Sequence, residues 1–360
     1  MAAALARPGG EGYCPAIGAT MEMRMEYRRM GRSGLKVSEI CLGTMTFGHG
    51  ADEGEAGRIL DSCLEAGVNF LDTANSYNGG ESESMLGALL QGRRRRRVVL
   101  ASKVFNPMGQ GPNDSGASRA HIMQAVEDSL RRLGTDYLDI YYLHHVDHDT
   151  PLEESLRALD DLVRQGKVRY AATSNFEAWR LMDALWTSEV KNLARFECYQ
   201  PQYSLVVRDI EQEIVPVCET KGLGVVVWSP LAGGYLSGKY QPGQAQATGS
   251  RSEEGWAFPM KFFHPDHTNV LATLLEVAAE LGRSPAQVAL RWVLDQGFVT
   301  SAIVGARNQG QIEETLQAVG WRLPGEMKAR LDAVSVLPLR YPRTMEDGMR
   351  ERRASAVRIG

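Results

Sequence analysis

Eight short runs of aliphatic and β-branched residues, recurring at near-even spacing, constrain this chain more than any other feature. They cover Ile40–Gly43, Asn69–Asp72, Val98–Ser102, Asp139–Leu143, Val168–Thr173, Phe196–Gln200, Gly224–Trp228 and Thr300–Val304, and the first seven start 28 to 41 residues apart. That interval holds one strand, one helix and two loops, which predicts βαβ units in a parallel sheet. Eight such units predict an α/β fold, the (β/α)8 TIM barrel. Only the last gap, 76 residues from Gly224 to Thr300, breaks the rhythm. The polar stretch Gln241–His267 falls in that gap and reads as a loop over one mouth. An open, doubly wound sheet is the competing architecture, but no G-x-G-x-x-G follows the first run.

Helix signals fill the intervals. Thr150-Pro151-Leu152-Glu153 predicts an N-cap, a proline at the first helical position and the Glu of a capping box, and Ser284-Pro285-Ala286-Gln287 repeats the device. Ser118 and Gly134 frame a helix carrying Ile122, Val126, Leu130 and Leu133, while Thr268 and Gly282 frame another. Ahead of the barrel, Tyr27 to Val37 reads as two strands around a Gly-containing turn, an N-terminal β-hairpin. No Pro-, Gly- or Ser-rich linker divides the 360 residues. The expected organisation is a loose extension over 1–24, one barrel domain over 25–335 and a C-terminal tail over 336–360.

Composition narrows the class. Apolar residues at 43% and charged residues at 23% suit an ordinary core. Forty Lys and Arg against forty-four Asp and Glu give a net charge of -4, which offers no overall attraction for nucleic acid or an anionic membrane. No apolar run approaches the ~20 residues that span a bilayer. Five scattered cysteines, Cys14, Cys41, Cys63, Cys198 and Cys218, form no C-x-x-C pair and point to a reducing cytoplasm. The block Arg93–Arg97 offers a basic binding patch, but five like charges just before a strand read first as a solvated turn on the bottom face.

Polar residues stand where the strands end. Asp72 closes the second run, Lys103 follows the third, His144 the fourth, Ser174-Asn175 the fifth, and Gln200 closes the sixth. In a barrel these ends share the mouth where active sites are built. With Tyr77, five positions after Asp72, they compose a proton-donating group. A phenol of pKa ~10 is a poor acid; an adjacent ammonium lowers that value, and a carboxylate keeps the ammonium charged and aimed. His144 would orient a carbonyl oxygen or relay the proton. Such a group suits hydride addition to a carbonyl, where an oxyanion forms and is protonated.

With these residues assembled, the chain resembles an aldo-keto reductase from about Glu26 to Val334. The resemblance is carried by Leu71-Asp72-Thr73-Ala74-Asn75-Ser76-Tyr77, Ala101-Ser102-Lys103, Asp139-Ile140-Tyr141-Tyr142-Leu143-His144 and Thr173-Ser174-Asn175-Phe176. It implies a catalytic tetrad of Asp72, Tyr77, Lys103 and His144, with Tyr77 as general acid. It also implies NADPH (NADP+) lying extended across the mouth and a small-molecule carbonyl or alcohol substrate. Ser174, Asn175 and Gln200 match positions that hold the carboxamide, and Trp228 the aromatic that stacks on the nicotinamide. Within Trp228–Lys239, similar to the pyrophosphate loop of the channel-subunit-like and bacterial branches, Ser229, Leu231, Gly233 and Lys239 would touch the cofactor. Gly305, Arg307, Gln311 and Glu314 match the adenosine segment, with Arg307 placed for a 2′-phosphate. Gly43, Thr44 and Met45 match a segment bordering cofactor and substrate. The chain departs from the family's usual Asn at Thr315, and from its usual Trp or Arg at His145.

Other readings of single features are weaker. Gly233 to Lys239 satisfies G-x-x-x-x-G-K, but Tyr240 stands where a P-loop needs a hydroxyl for Mg²⁺. Lys103 alone fits a Schiff-base lyase, which leaves Tyr77 and Ser174-Asn175 unexplained. His144, His145 and His148 suggest a metal cluster, yet neighbours on a strand point to opposite sides and no carboxylate joins them at ligand spacing. A cofactor-bound, redox-sensing subunit or scaffold is the remaining alternative.

Overall fold

The structure is a computed structural model that describes residues 24–243 and 261–356. Strands β1 (Tyr27–Arg29) and β2 (Lys36–Ser38) pair antiparallel as the expected hairpin. Its turn abuts the barrel: Arg32 N donates to Gly222 O at 2.9 Å. Gly31 sits there at φ 54°, and a Cβ would come within 2.3 Å of Gly222 O, so only glycine fits.

Eight parallel strands then close a barrel: β3 (Ile40–Gly43), β4 (Phe70–Asp72), β5 (Val99–Val104), β6 (Leu138–Leu143), β7 (Val168–Ser174), β8 (Phe196–Gln200), β9 (Gly224–Val227) and β10 (Ser301–Val304). Closure runs through β10, which pairs with β3 on one side and β9 on the other. This is the (β/α)8 architecture, and each strand lies within two residues of its expected place. Period-two alternation divides the side chains. Cys41, Phe70, Val99, Ala101, Ile140, Tyr142, Ala172, Cys198 and Val226 fill the lumen, together with Met30 and Val37 of the hairpin. Ile40, Leu42, Leu71, Leu100, Leu138, Tyr141, Leu143, Val225 and Val227 face the helices. Each fully buried aliphatic or aromatic side chain contributes about 1.5–3 kcal/mol.

The same alternation aims the polar strand ends. Asp72 is two residues past Phe70, Lys103 two past Ala101, Ser174 two past Ala172 and Gln200 two past Cys198, so all four continue lumen-facing rows toward one mouth. Lys103 lies within β5 rather than after it.

The surrounding helices follow the sequence signals with two corrections. Helix α1 spans Glu53–Glu65, α2 Glu81–Leu89, and α3 Arg119–Leu133 with its Ser118 cap and Gly134 terminus as expected. Helix α4 (Leu152–Arg164) is not capped by Thr150, whose hydroxyl donates instead to Asp147 at 2.8 Å. Next come α5 (Ala178–Lys191), α6 (Ile214–Lys221) and α7 (Pro265–Leu281). Helix α7 starts three residues before Thr268, because His264 accepts from Asp266 N and Pro265 sets the first turn. The expected loop over 241–267 therefore ends inside a helix, and its part 244–260 lies outside the described residues, as do the extension through residue 23 and Cys14. Helix α8 (Pro285–Leu294) carries the full Ser284–Gln287 capping box. After β10 come α9 (Gln309–Leu316), α10 (Gly325–Ser335) and α11 (Arg343–Ala356). Among the described residues no helix is long and apolar enough to cross a membrane.

The arginine block also departs from expectation. It is a tight turn over Gly92–Arg97, but Arg95 is buried and paired with Asp139 at 2.9 Å.

Candidate active site

Lys103 is the centre of the mouth and has no exposed surface. Its ammonium donates to the Asp72 Oδ1 carboxylate atom, to Thr73 O at 2.8 Å and to the Tyr77 hydroxyl at 3.1 Å. An ammonium has three donors and no acceptor, so all three are engaged. The phenol oxygen accepts from Lys103, and its own hydrogen is directed elsewhere.

Asp72 is held from its other side by Gln200 Nε2, which donates to Oδ2 at 2.8 Å. The Asp72 main chain receives Thr44 N at 2.9 Å and Thr44 Oγ1 at 3.2 Å. Tyr77 reaches the group from a tight turn, Tyr77–Gly80, rather than from a strand. Asn78 and Gly79 adopt left-handed backbone inside it, and Asn78 Nδ2 ties it to the Gly43–Met45 segment by donating to Met45 O and Phe47 O at 3.1 and 2.6 Å. Sequence reasoning missed a buried hydroxyl beneath this turn. Ser82 donates to Thr44 O at 2.7 Å, and its oxygen lies 2.9 Å from Thr44 Oγ1 and 3.1 Å from Thr73 Oγ1. A serine in a helix's first turn looks like any other, so no sequence signal marked it.

The electrostatics revise two expectations. Burial raises the Tyr77 pKa above the ordinary tyrosine value, outweighing Lys103, which pulls it down. The phenol is thus protonated at neutral pH. For Lys103, burial opposes the charge, but Asp72 and Tyr77 prevail and hold its pKa above the usual lysine value. His144 is pushed down to about 2, by burial first and then by Lys103 and His145. It is a neutral imidazole and does not titrate near pH 7 as a relay would. His144 and His145 do not point apart: the strand ends at Leu143, and the two rings stack at 4.7 Å with planes 15° apart. Tyr77 meets the His144 ring edge-on at 6.0 Å, and Phe105 meets His145 at 5.4 Å.

Beside this group lies an amide fork. Asn175, at φ 61°, donates to His144 O at 3.0 Å and Ser174 Oγ at 2.9 Å, and accepts from Trp228 Nε1 at 3.1 Å. Ser174 Oγ donates to Gln200 O at 2.7 Å. Past β9 the chain runs through Ser229, Leu231 and a series of left-handed positions, with φ of 57° at Ser229, 50° at Ala232, 65° at Gly233, 101° at Gly234 and 88° at Gly238. Ser229 Oγ accepts from Gly233 N at 3.0 Å, and Lys239 closes the loop exposed. Beyond β10, Gly305 is exposed at the strand end, and Arg307 lies half-buried against Gly50. Gln311 accepts from Arg307 N at 3.0 Å, Glu314 is exposed, and Thr315 turns inward to donate to Gln311 O at 2.8 Å. Met45, in the segment after β3, is 40% exposed.

The residues fit a nicotinamide dinucleotide. The Ser174, Asn175 and Gln200 amides and hydroxyl offer both donors and acceptors, and two cations, Lys239 after β9 and Arg307 after β10, flank the same mouth, whereas the N–H groups of Ala232, Gly233, Gly234 and Leu236 are committed within their own loop.

Comparison with known proteins agrees with this geometry. The sequence model of the Aldo/keto reductase family matches residues 39–336. The chain belongs to the aldo/keto reductase family. Aldo/keto reductases generally use NAD(P)H, and this one is an oxidoreductase acting on carbonyl groups. The uncharacterized oxidoreductase YrpG of Bacillus subtilis (strain 168) is 41% identical over 320 residues, spanning 86% of this chain and 96% of its own. A probable voltage-gated potassium channel subunit beta of Oryza sativa subsp. japonica is 38% identical over 300 residues, 82% and 91% of the two chains. Aldo-keto reductase AMT2 of Alternaria alternata is 33% identical over 341 residues, 86% and 91%.

Proposed function

We propose that this aldo/keto reductase reduces aldehydes or ketones to alcohols reversibly with NADPH, using Tyr77 as the general acid. The observation that carries this reading is the Lys103 ammonium, engaged between Asp72 and the Tyr77 hydroxyl. A reduced nicotinamide, when bound, supplies the hydride to the carbonyl carbon. Tyr77 gives its proton to the carbonyl oxygen, and Lys103 then stabilises the phenolate it leaves. Asp72 and Thr73 aim the ammonium, and Gln200 aims Asp72. Neutral His144 hydrogen-bonds the substrate oxygen beside Tyr77.

Ser174, Asn175 and Gln200 are assigned to the carboxamide, Trp228 to the ring face, and Ser229, Leu231, Gly233 and Lys239 to the pyrophosphate. Gly43, Thr44 and Met45 border the reacting centre. Gly305, Arg307, Gln311 and Glu314 are assigned to the adenosine end, where the Arg307 guanidinium favours a 2′-phosphate. The working unit is residues 25–335. Cys41, Cys63, Cys198 and Cys218 are all unpaired and buried, which supports a reducing, cytoplasmic setting.

A lyase that forms an imine on Lys103 is disfavoured, because an imine needs a free amine and this nitrogen has every donor engaged with its pKa raised. A cofactor-bound sensing or scaffold subunit is supported by the names of several relatives, the rice protein among them. An activity panel of aldehydes, ketones and sugars with NADPH and NADH separates the readings. NADPH should exceed NADH in kcat/KM by about tenfold or more, and Arg307→Ala should remove most of that margin. Tight NADPH binding with no turnover of any carbonyl would favour the subunit instead.

A further inference from the structure

The arginine block plays no part at the mouth. Its turn, Gly92–Arg97, leads into β5 at the opposite end of the barrel. Between this turn, the end of α3 and the start of β7 lies an open cavity of about 1190 Å³. Arg95, Arg96, Arg131, Lys167 and Arg169 line it, against only two acids, Glu127 and Asp136. Asp128, just outside the lining, pairs with Arg131, and Asp139 with Arg95 and Arg169, so the cluster as a whole keeps a small positive excess in a chain whose net charge is -4.

Part of the cluster is fixed in place. The guanidiniums of Arg95 and Arg169 lie 4.1 and 3.7 Å from the centroid of the Tyr137 ring. Both also pair with Asp139, at 2.9 and 3.0 Å. Arg95 is committed to the fold, since its remaining donors go to Thr135 Oγ1, Val98 O and Tyr137 O. Lys167 is paired with Glu127. Arg169 is held but not saturated: only Nη1 is engaged, on Asp139. Arg131 likewise uses only Nη1, on Asp128 at 2.7 Å. Among the described residues Arg96 has no acceptor or ion-pair partner, and it is exposed on the cavity wall.

Guanidinium forks on several walls of one concavity match the spread oxygens of linked phosphates better than a single small anion. The negative charge of the remaining surface disfavours an extended polyanion lying along the molecule. We propose that this cavity binds a small molecule carrying two or three linked phosphates, such as a nucleoside triphosphate, at a site separate from the mouth.

Calorimetric titration of inorganic triphosphate into the full chain at low ionic strength, with and without one equivalent of NADP⁺ to fill the mouth, tests this. One site per chain is expected in both conditions. Arg96→Glu and Arg131→Glu, both at exposed positions, should each weaken binding by about tenfold. Arg157→Glu on α4 should leave it unchanged. The proposal is overturned by absent binding, by loss of the site when NADP⁺ is added, or by equal weakening in all three variants. It is also overturned if orthophosphate binds as tightly, or if a single-stranded RNA binds where triphosphate does not.

Discussion

At Lys103 and His144, two buried bases in one mouth are driven to opposite ends of their titration ranges. Lys103 keeps its charge because Asp72 and Tyr77 compensate for burial, whereas among the described residues His144 has no such partner and its Nδ1 is buried without a hydrogen bond. This difference has a consequence for stability. The unfolded chain protonates His144 near 6.5, while the folded chain resists until about 2. Between those values the unfolded state binds more protons, so lowering the pH favours unfolding. The contribution is intact above 6.5 and declines below it, by up to about 1.4 kcal/mol per pH unit. Urea midpoints measured from about pH 7 down to about pH 5 should therefore fall less steeply in His144→Gln than in the parent; identical slopes would contradict the assignment. Residues at this scale were legible where a period-two strand ends in a polar side chain, as at Asp72, Lys103, Ser174 and Gln200. His144 and His145 were misjudged because the strand stops at Leu143 and its alternation stops with it. Arg95 was illegible: nothing local distinguishes it among five arginines, and Asp139, distant in sequence, decides which one is buried.

Among the elements, helix starts separate local from tertiary causes. The Ser284–Gln287 box at α8 is complete within four residues, and it was readable for that reason. Ser284→Ala should cost about 1 kcal/mol, lowering the thermal midpoint by a few degrees in a melting experiment; an unchanged midpoint would remove the cap from the account. Thr150 has the same sequence signature but a different use, because Asp147 collects Thr150 Oγ1, Asp149 N and Ala117 N and draws the hydroxyl away from α4. That competition joins the loop after β5 to the loop after β6, and no local pattern reveals it. The turn carrying Tyr77 was equally hidden. Its left-handed Asn78 and Gly79 are compatible with the sequence, yet its place over Thr44 and Ser82 depends on contacts between separate units.

For the whole molecule, the rhythm of eight runs was sufficient to infer closure, because each run is too apolar to leave either face in water. What the rhythm did not disclose is how the far end is sealed. Glu39, fully buried beside β3, receives Arg28 of the hairpin at 2.7 Å and Arg291 of α8 at 3.3 Å. Glu39→Leu would leave two arginines facing a lost charge, at a cost of about 3–5 kcal/mol; a urea midpoint shift equivalent to less than about 1 kcal/mol would show that the network is dispensable. With that end sealed, the open end gathers Asp72, Lys103 and Tyr77 from one strand, its neighbour and the intervening turn, and the proposed chemistry depends on the last of these. The most direct measurement is single-turnover carbonyl reduction by Tyr77→Phe at neutral pH, with cofactor affinity followed in parallel by tryptophan fluorescence. Hydride transfer should slow by about a hundred- to ten-thousand-fold while affinity stays within about twofold; reduction at close to the parent rate would contradict Tyr77 as the proton donor.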